Sequence, residues 1–237
     1  MTKYDFKFDG HRPNDFGRNV HVKSHNIGFP EKTKVTATIP FSNTVYDFSK
    51  AYGSQTYGER TISYVVNVAA DVGADVEQVH EVKRQLINWL MKPIGKVPLF
   101  DDKVPDYYFL GEVQANNSFE DSVQLGGLTV TFTCYPFMIK TKPEGDDAWD
   151  TFNFEHDIAQ MTSFVVNGVT TTTLINDGIN TVQPNITSDA DMTVTLAGAA
   201  YKISKGTSTN LLLPIGVNTI AVEGAGTISF EWHEEVI

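Results

Sequence analysis

Cysteine, long apolar runs and, in the second half, positive charge are what this chain has least of. One cysteine, Cys134, in 237 residues rules out an intramolecular disulfide, so packing alone must hold the fold. No apolar stretch approaches the roughly 20 residues of a membrane span, and no transmembrane helix is expected. The opening MTKYDFKFDGHR has no apolar run after its charges, so no secretory signal is expected either. Asn116-Asn117-Ser118 and Asn185-Ile186-Thr187 fit the glycosylation pattern, but without export they read as chance. Up to Lys140 there are 15 Lys+Arg against 16 Asp+Glu, and from Thr141 onward 3 against 13. The net charge of −11 therefore sits almost wholly in the second half. Such a domain repels phosphate backbones, which disfavours nucleic-acid binding through it, and the acidity reads as a solubility device.

Catalytic signatures are missing too. There is no Gly-x-Ser-x-Gly elbow, no Gly-rich phosphate loop and no His-Glu-x-x-His. Asp15-Phe16-Gly17 repeats three letters of a kinase motif without that motif's companions. His21 and His25 fall on one face of a predicted strand, yet no acid or cysteine nearby completes a metal shell. The pairs Asp101-Asp102, Asp146-Asp147 and Glu234-Glu235 are sequence neighbours, which on a strand splay to opposite faces, and they read as solvated turns and a solvated terminus. A glycan-cleaving enzyme needs two carboxylates converging on one bond, and no such pair is evident. The expectation is a protein that is not an enzyme and needs no cofactor or metal.

What the chain does have is β pattern. In Val123 to Ile139, Leu128, Val130, Phe132 and Cys134 point one way and Thr129, Thr131 and Thr133 the other, which is a half-buried strand ending at Tyr135-Pro136-Phe137. Cys134 then counts as a small core residue. Further strands are predicted over Tyr4 to Phe8, His21 to Ile27, Lys34 to Ile39, Thr61 to Val68 and Tyr107 to Val113. One helix is predicted, with Asp75 and Gln78 as a capping box, an apolar stripe of Val76, Val79, Val82, Leu86, Trp89 and Leu90, and a stop before Pro93. Thr141 to Asp150, rich in acids with Pro and Gly, reads as a linker. Beyond it, eight short strands at spacings near ten residues are predicted: Met161 to Asn167, Thr172 to Asn176, Val182 to Ile186, Met192 to Leu196, Ala200 to Ser204, Asn210 to Leu213, Asn218 to Glu223 and Thr227 to Trp232. Turns at Asn176-Asp177-Gly178 and Gly224-Ala225-Gly226 separate neighbours, as in a β-sandwich. Two domains follow, 1–140 and 141–237, both mainly β.

Several pieces, in order over about 140 residues, resemble the distal tail (Dit) proteins of siphophages. They are Phe8-Asp9-Gly10 with Asp15-Phe16-Gly17, Ile39-Pro40 with Tyr46-Asp47-Phe48-Ser49, and Tyr57-Gly58-Glu59-Arg60. The helix ending in Trp89-Leu90, Leu99-Phe100-Asp101-Asp102 read as a turn, the strand Tyr107 to Val113, and Phe132-Thr133-Cys134-Tyr135-Pro136-Phe137 complete the set. The second half resembles the family more loosely, through Leu213-Pro214-Ile215-Gly216-Val217-Asn218-Thr219-Ile220 before the closing strands. The resemblance implies a β-sandwich-like ring (belt) domain with one α-helix, and a C-terminal sandwich that looks like a galectin or carbohydrate-binding module and projects outward. It implies a homo-hexamer in the virion, at the tip of a long non-contractile tail, made in the bacterial host cytoplasm. Partners would be the tail tube protein, the tail-associated (Tal) fibre or lysin, and in some relatives a receptor-binding protein held by a long insertion. Here the segment after Lys140 is only as long as a bare sandwich. DNA would pass through the channel in transit, and a near-neutral first half suits such a lumen.

A ring without a cofactor asks for aromatic and strand-edge surface. The candidates are Tyr4, Phe6, Tyr107, Tyr108 and the loop residues Tyr46, Phe48, Tyr52 and Tyr57, whose segment either folds back onto its own domain or lies on a neighbouring subunit. The alternative function is a carbohydrate-binding adhesion module recognising host-wall glycan. Among Trp149, Phe152, Phe154, Tyr201 and Trp232, the possible contact there is Tyr201, while Trp232 alternates with apolar residues and reads as core.

Overall fold

The computed structural model describes residues 4–17, 19–49, 55–69, 76–114, 118–121, 125–145 and 158–237. It is mainly β with one long helix, and it divides into two compact units, Met1–Met138 with Ile237, and Ile139–Val236.

In the first unit the strands are β1 (Phe6–Phe8), β2 (Val20–Ile27), β3 (Thr36–Thr38), β4 (Val45–Asp47) and β5 (Arg60–Ala69). After helix α1 (Val76–Met91) come β6 (Val97–Asp101), β7 (Tyr107–Val113), β8 (Ser118–Asp121) and β9 (Leu125–Cys134). The main sheet runs β1-β6-β7-β9-β5-β2, with β8 on β9, and β3 and β4 form a separate two-stranded sheet. The centre is the antiparallel pair β5 and β9, in register from Arg60↔Cys134 to Ala69↔Leu125. Both strands alternate as the sequence implies, so Ile62, Tyr64, Val66 and Val68 meet Leu128, Val130, Phe132 and Cys134 in the core. Helix α1 closes this core with Val79, Leu86, Trp89 and Leu90. Trp89 stacks near Phe16 and Phe6, and its indole N–H donates to the Phe8 carbonyl at 3.0 Å, so the one polar atom of a buried ring is satisfied. The helix ends before Pro93 as predicted, whereas its predicted cap, Asp75, lies outside the described residues.

Leu99-Phe100-Asp101, predicted as part of a turn, belongs to β6. Pro98 obscures this strand in the sequence. β1 pairs β6 only from Leu99 onward, so the missing N–H of Pro98 breaks no rung with β1. Phe6 is wholly buried between Tyr64, Phe132 and Trp89, which corrects its reading as a surface residue.

The second unit takes in most of β10 (Met138–Lys140), then β11 (Ser163–Asn176), β12 (Asn185–Ser188), β13 (Met192–Leu196), β14 (Ala199–Ile203), β15 (Gly206–Ser208), β16 (Gly216–Glu231) and β17 (Glu235–Val236). Four predicted strands merge here into two long ones. β11 and β16 pair antiparallel over their whole common length, Ser163↔Ser229 to Asn176↔Gly216. The expected Gly224-Ala225-Gly226 turn is a mid-strand feature of β16. On the other side of β16, β13 pairs Ile220 to Glu223 and β12 pairs Ile228 to Glu231, so the glycines fall where one ladder hands over to the next. At Gly226, with φ of 147°, a Cβ would sit 2.1 Å from Asp189 Oδ1, the same oxygen that accepts from Thr227 N–H. Glycine suits this φ, and any larger residue would push the Asp189 carboxylate off Thr227 N–H. Ile228, Phe230 and Trp232 are buried on one face, with Val194, Leu174 and Ile186 beside them in the core. The described part of the predicted linker is fixed rather than loose: Glu144 is buried, its N–H donates to the Trp232 carbonyl, and its carboxylate meets Lys140 at 3.2 Å.

Candidate assembly surface

Between β2 and β5 most of the described residues stand away from the first unit's core. From Glu31 to Phe48 every residue is exposed. The outgoing and returning legs bind one another: Gly28 N–H to Thr61 O, Gly58 N–H to Glu31 O, Thr33 N–H to Thr56 O and Phe48 N–H to Val35 O, all at 2.8–3.0 Å. Gln55 adds its side-chain amide to the Thr33 carbonyl, and Lys34 pairs with Asp47 at 2.7 Å. The Lys34 and Ser49 hydrogen bonds hold the Asp47 carboxyl well below the usual carboxylate range. The result is a two-stranded arm tipped by β3 and β4, and the loop predicted around Tyr46 is in part strand β4. Phe41 is thirteen residue steps from Gly28, so the arm can reach up to about 40 Å.

The tip is a four-residue turn, Ile39-Pro40-Phe41-Ser42, closed by Ser42 N–H to the Ile39 carbonyl at 3.1 Å. Proline second and a positive φ third are the marks of a type II turn, where glycine is the unstrained choice. Here the third position is Phe41, with φ of +65° and its side chain fully in solvent, at 111% relative exposure. A left-handed non-glycine residue is disfavoured by about 1–2 kcal/mol, and a bare aromatic ring gains nothing back from water. Strain of this kind is kept where a partner uses the side chain. The sequence shows Pro40-Phe41 but not that the pair lies at a tip, so this residue was missed.

The predicted interface residues are distributed unevenly. Tyr46 and Phe48 lie exposed on the arm, and Tyr52 lies outside the described residues. Tyr57, at the arm's root, is half-buried with its ring edge-on to Phe137 at 5.5 Å. Tyr107 and Tyr108 are half-buried on β7, the latter beside Phe100. Tyr4 is half-buried with its hydroxyl donating to Asp101 at 2.5 Å. The buried Asp101 carboxylate also accepts from Tyr64 at 2.8 Å and from Lys103 N–H, so it is a structural fastening between β6 and β5, not a solvated turn acid. Burial and the Asp101 carboxylate push both tyrosine pKa values up. Nearby Asp5 is raised to about 6, mainly by desolvation, while Asp102 pairs with Arg12 at 3.0 Å.

Sites considered for chemistry come apart in three dimensions. A β-bulge between Val22 and Ser24 shifts the register, so His21 lies opposite Asn67 and His25 opposite Tyr64. The two imidazoles therefore point to opposite faces, which corrects the shared face predicted from spacing alone. Among the described residues no group of three or more His, Cys, Asp or Glu gathers as a metal site. Cys134 is fully buried and its thiol is pushed up to about 12 by desolvation, so it offers no thiolate nucleophile. Arg60 is buried beside it with Nε and Nη2 unpartnered and its guanidinium 5.3 Å over the Phe109 ring. Glu234 and Glu235 are not a solvated terminus: Lys140 meets Glu234 at 3.5 Å and Asn180 donates to Glu235 at 2.7 Å. Tyr201 lies half-buried on β14 against the second unit's core.

No family model and no curated protein matches this chain. Solved structures do. The SPP1 Dit protein, described as a paradigm of the hub adsorption apparatus in phages infecting Gram-positive bacteria, superposes with a TM-score of 0.65 at 14% identity, covering 99% of this chain and 99% of that one. Chains of the phage p2 baseplate in its activated conformation, with Sr and with Ca, give TM-scores of 0.42 and 0.45 at 10% and 9% identity over 97–98% of this chain and 97% of theirs. Those two overlaps are too loose to equate residues. The SPP1 likeness runs from end to end, and the chain has the fold of that Dit protein.

Proposed function

We propose that this protein is a structural component of a phage tail tip: a non-enzymatic hub whose first unit assembles into a six-membered ring. The ring would join the tail tube to the tail-associated fibre or lysin and to the host-recognition parts beyond it. The carrying observation is the arm between Gly28 and Thr61, whose described residues Phe29, Ile39, Phe41, Tyr46 and Phe48 are exposed to solvent. A lone two-stranded ribbon is marginal in water, and aromatics of this size are characteristic of interfaces. The likeness to a hub protein of an adsorption apparatus supports the same reading. The mechanism is mechanical: repeated contacts hold register around the ring, and a displacement at one contact is passed to the next. Light scattering on the purified full chain should give the mass of six copies or of stacked rings, and electron micrographs should show annular particles. A monomer at all concentrations overturns the proposal.

A further inference from the structure

A strand at the edge of a sheet presents a row of unpaired N–H and C=O groups, and natural sheets blunt such edges with charge, bulges or shortness. Among the described residues, the two large sheets follow that rule at every edge but one. β2 carries Lys23 and a bulge, β1 is three residues around Lys7, β8 ends in Glu120 and Asp121, and β14 holds Lys202. β15 and β17 are too short to template a partner. β11 has none of these devices. It pairs only β16, and its 14 residues, SFVVNGVTTTTLIN, contain no charge, no proline and no register shift.

Bonds at the two ends of β11 show which rungs are open. Phe230 N–H donates to the Thr162 carbonyl, so even-numbered residues turn their backbone groups to β16. At the other end, Ile175 N–H and C=O point away from β16, and both are met by the Gln160 carboxamide at 2.9 Å. That side chain acts as a one-residue strand partner, giving one N–H bond and taking one as a peptide does. Ser163, Val165, Asn167, Val169, Thr171 and Thr173 share the orientation of Ile175, and their rungs stay open to solvent.

We infer that two copies of this chain join edge to edge along β11, antiparallel about a two-fold axis at Gly168. With Gln160 closing the Ile175 end, the six open residues match a second copy with none left over: Ser163 on Thr173, Val165 on Thr171 and Asn167 on Val169, each pair made twice. The hydrogen-bond pattern asks for an extended backbone, and the missing charge selects an identical one. In a two-fold pair a charge near Gly168 would face its own like, whereas a different protein is chosen by opposite charges, which this edge does not offer. The contact lies wholly in the second unit and does not depend on the ring proposed for the first. Because that half carries a net charge of −10, added salt should strengthen the pairing.

The test uses two double variants of the full chain, Asn167→Lys with Val169→Lys and Asn167→Glu with Val169→Glu. Each sets like charges opposite one another across the axis, at positions exposed to solvent, so the far-UV spectrum should stay as in the parent. Light scattering over a dilution series should show each variant pairing at least about tenfold more weakly than the parent. Mixed one to one, the two should recover the parent's pairing, since lysine then faces glutamate. Spin labels on Ser163→Cys, Val165→Cys, Thr171→Cys and Thr173→Cys, taken one at a time, read the register. Distances between copies should be about 34 Å at 163 and 173 and about 20 Å at 165 and 171. Double variants with the parent's mass at every concentration overturn the edge pairing and leave the ring standing. A mixture that recovers nothing, or four equal label distances, overturns it as well. A mass of six copies kept by both double variants belongs to the ring alone.

Discussion

The two units expose apolar surface in opposite ways. In the first, it is concentrated in an aromatic arm and at Ile87, Met91 and Ile94 around the end of α1, on a half with balanced charge. Among the described residues of the second it is aliphatic and spread along strands and loops, at Val165, Val169, Leu212, Ile215 and Val217, on a half with a net charge of −10. Scattered single aliphatics are ordinary protein surface, whereas clustered aromatics that their own unit does not cover are not. Under the proposed ring, this contrast would assign ring assembly to the first half and solubility to the second.

The comparison can be broken most forcefully at Trp89. Trp89→Ala removes the ring packed among Phe6, Phe8 and Phe16 and its bond to the Phe8 carbonyl, and should lower the first unit's stability by about 3–5 kcal/mol. If the units fold separately, urea unfolding followed by hydrogen exchange will show protection lost up to residue 138 and kept beyond it. Arg60→Met goes the other way. A buried guanidinium with two unpartnered nitrogens is replaced by an apolar chain of similar length, and the first unit should gain roughly 1–4 kcal/mol in the same measurement. Gly226→Ala tests the second unit, where alanine is strained at a φ of 147° and its methyl displaces the Asp189 carboxylate from Thr227 N–H, at a loss of about 2 kcal/mol confined to residues beyond 139.

Asp5 sharpens the contrast through pH. Its carboxyl takes up a proton near pH 6 in the folded chain and near 3.8 as a free side chain. Its contribution to stability is therefore full below about pH 4 and is lost as the pH rises through 6. Asp5→Asn should flatten that fall and leave the first unit more stable than the parent by about 1–3 kcal/mol at pH 7.5, read as the difference in urea midpoints from pH 4 to 7.5. Phe41→Gly is the smallest effect. Relief of the left-handed phenylalanine should add about 1 kcal/mol or less to stability, in a variant whose assembly is weakened.

Much of this fold is legible in the sequence where one face of an element is buried against water. The alternation of β5, β7 and β9 and the stripe of α1 place those elements within a residue or two. What stays hidden depends on partners distant in sequence. β6 is masked by Pro98 until β1 is known to begin one residue later, and the bulge that parts His21 from His25 leaves no trace in spacing. The glycines of β16 carry turn chemistry but serve a strand shared by two ladders. At the candidate surface, Tyr46 and Phe48 were recognisable because an aromatic-rich loop is conspicuous. Phe41 was not, since only the core reveals which apolar residues it leaves out.

The buried thiol of Cys134 has a use beyond packing. With its ionisation displaced to about 12 and no surface of its own, it should ignore thiol reagents while the β5 and β9 ladder is closed. The rate at which a maleimide reaches it thus becomes an internal clock for opening of the central sheet. Any cysteine grafted onto the arm would be the sole fast-reacting sulfur in the folded chain.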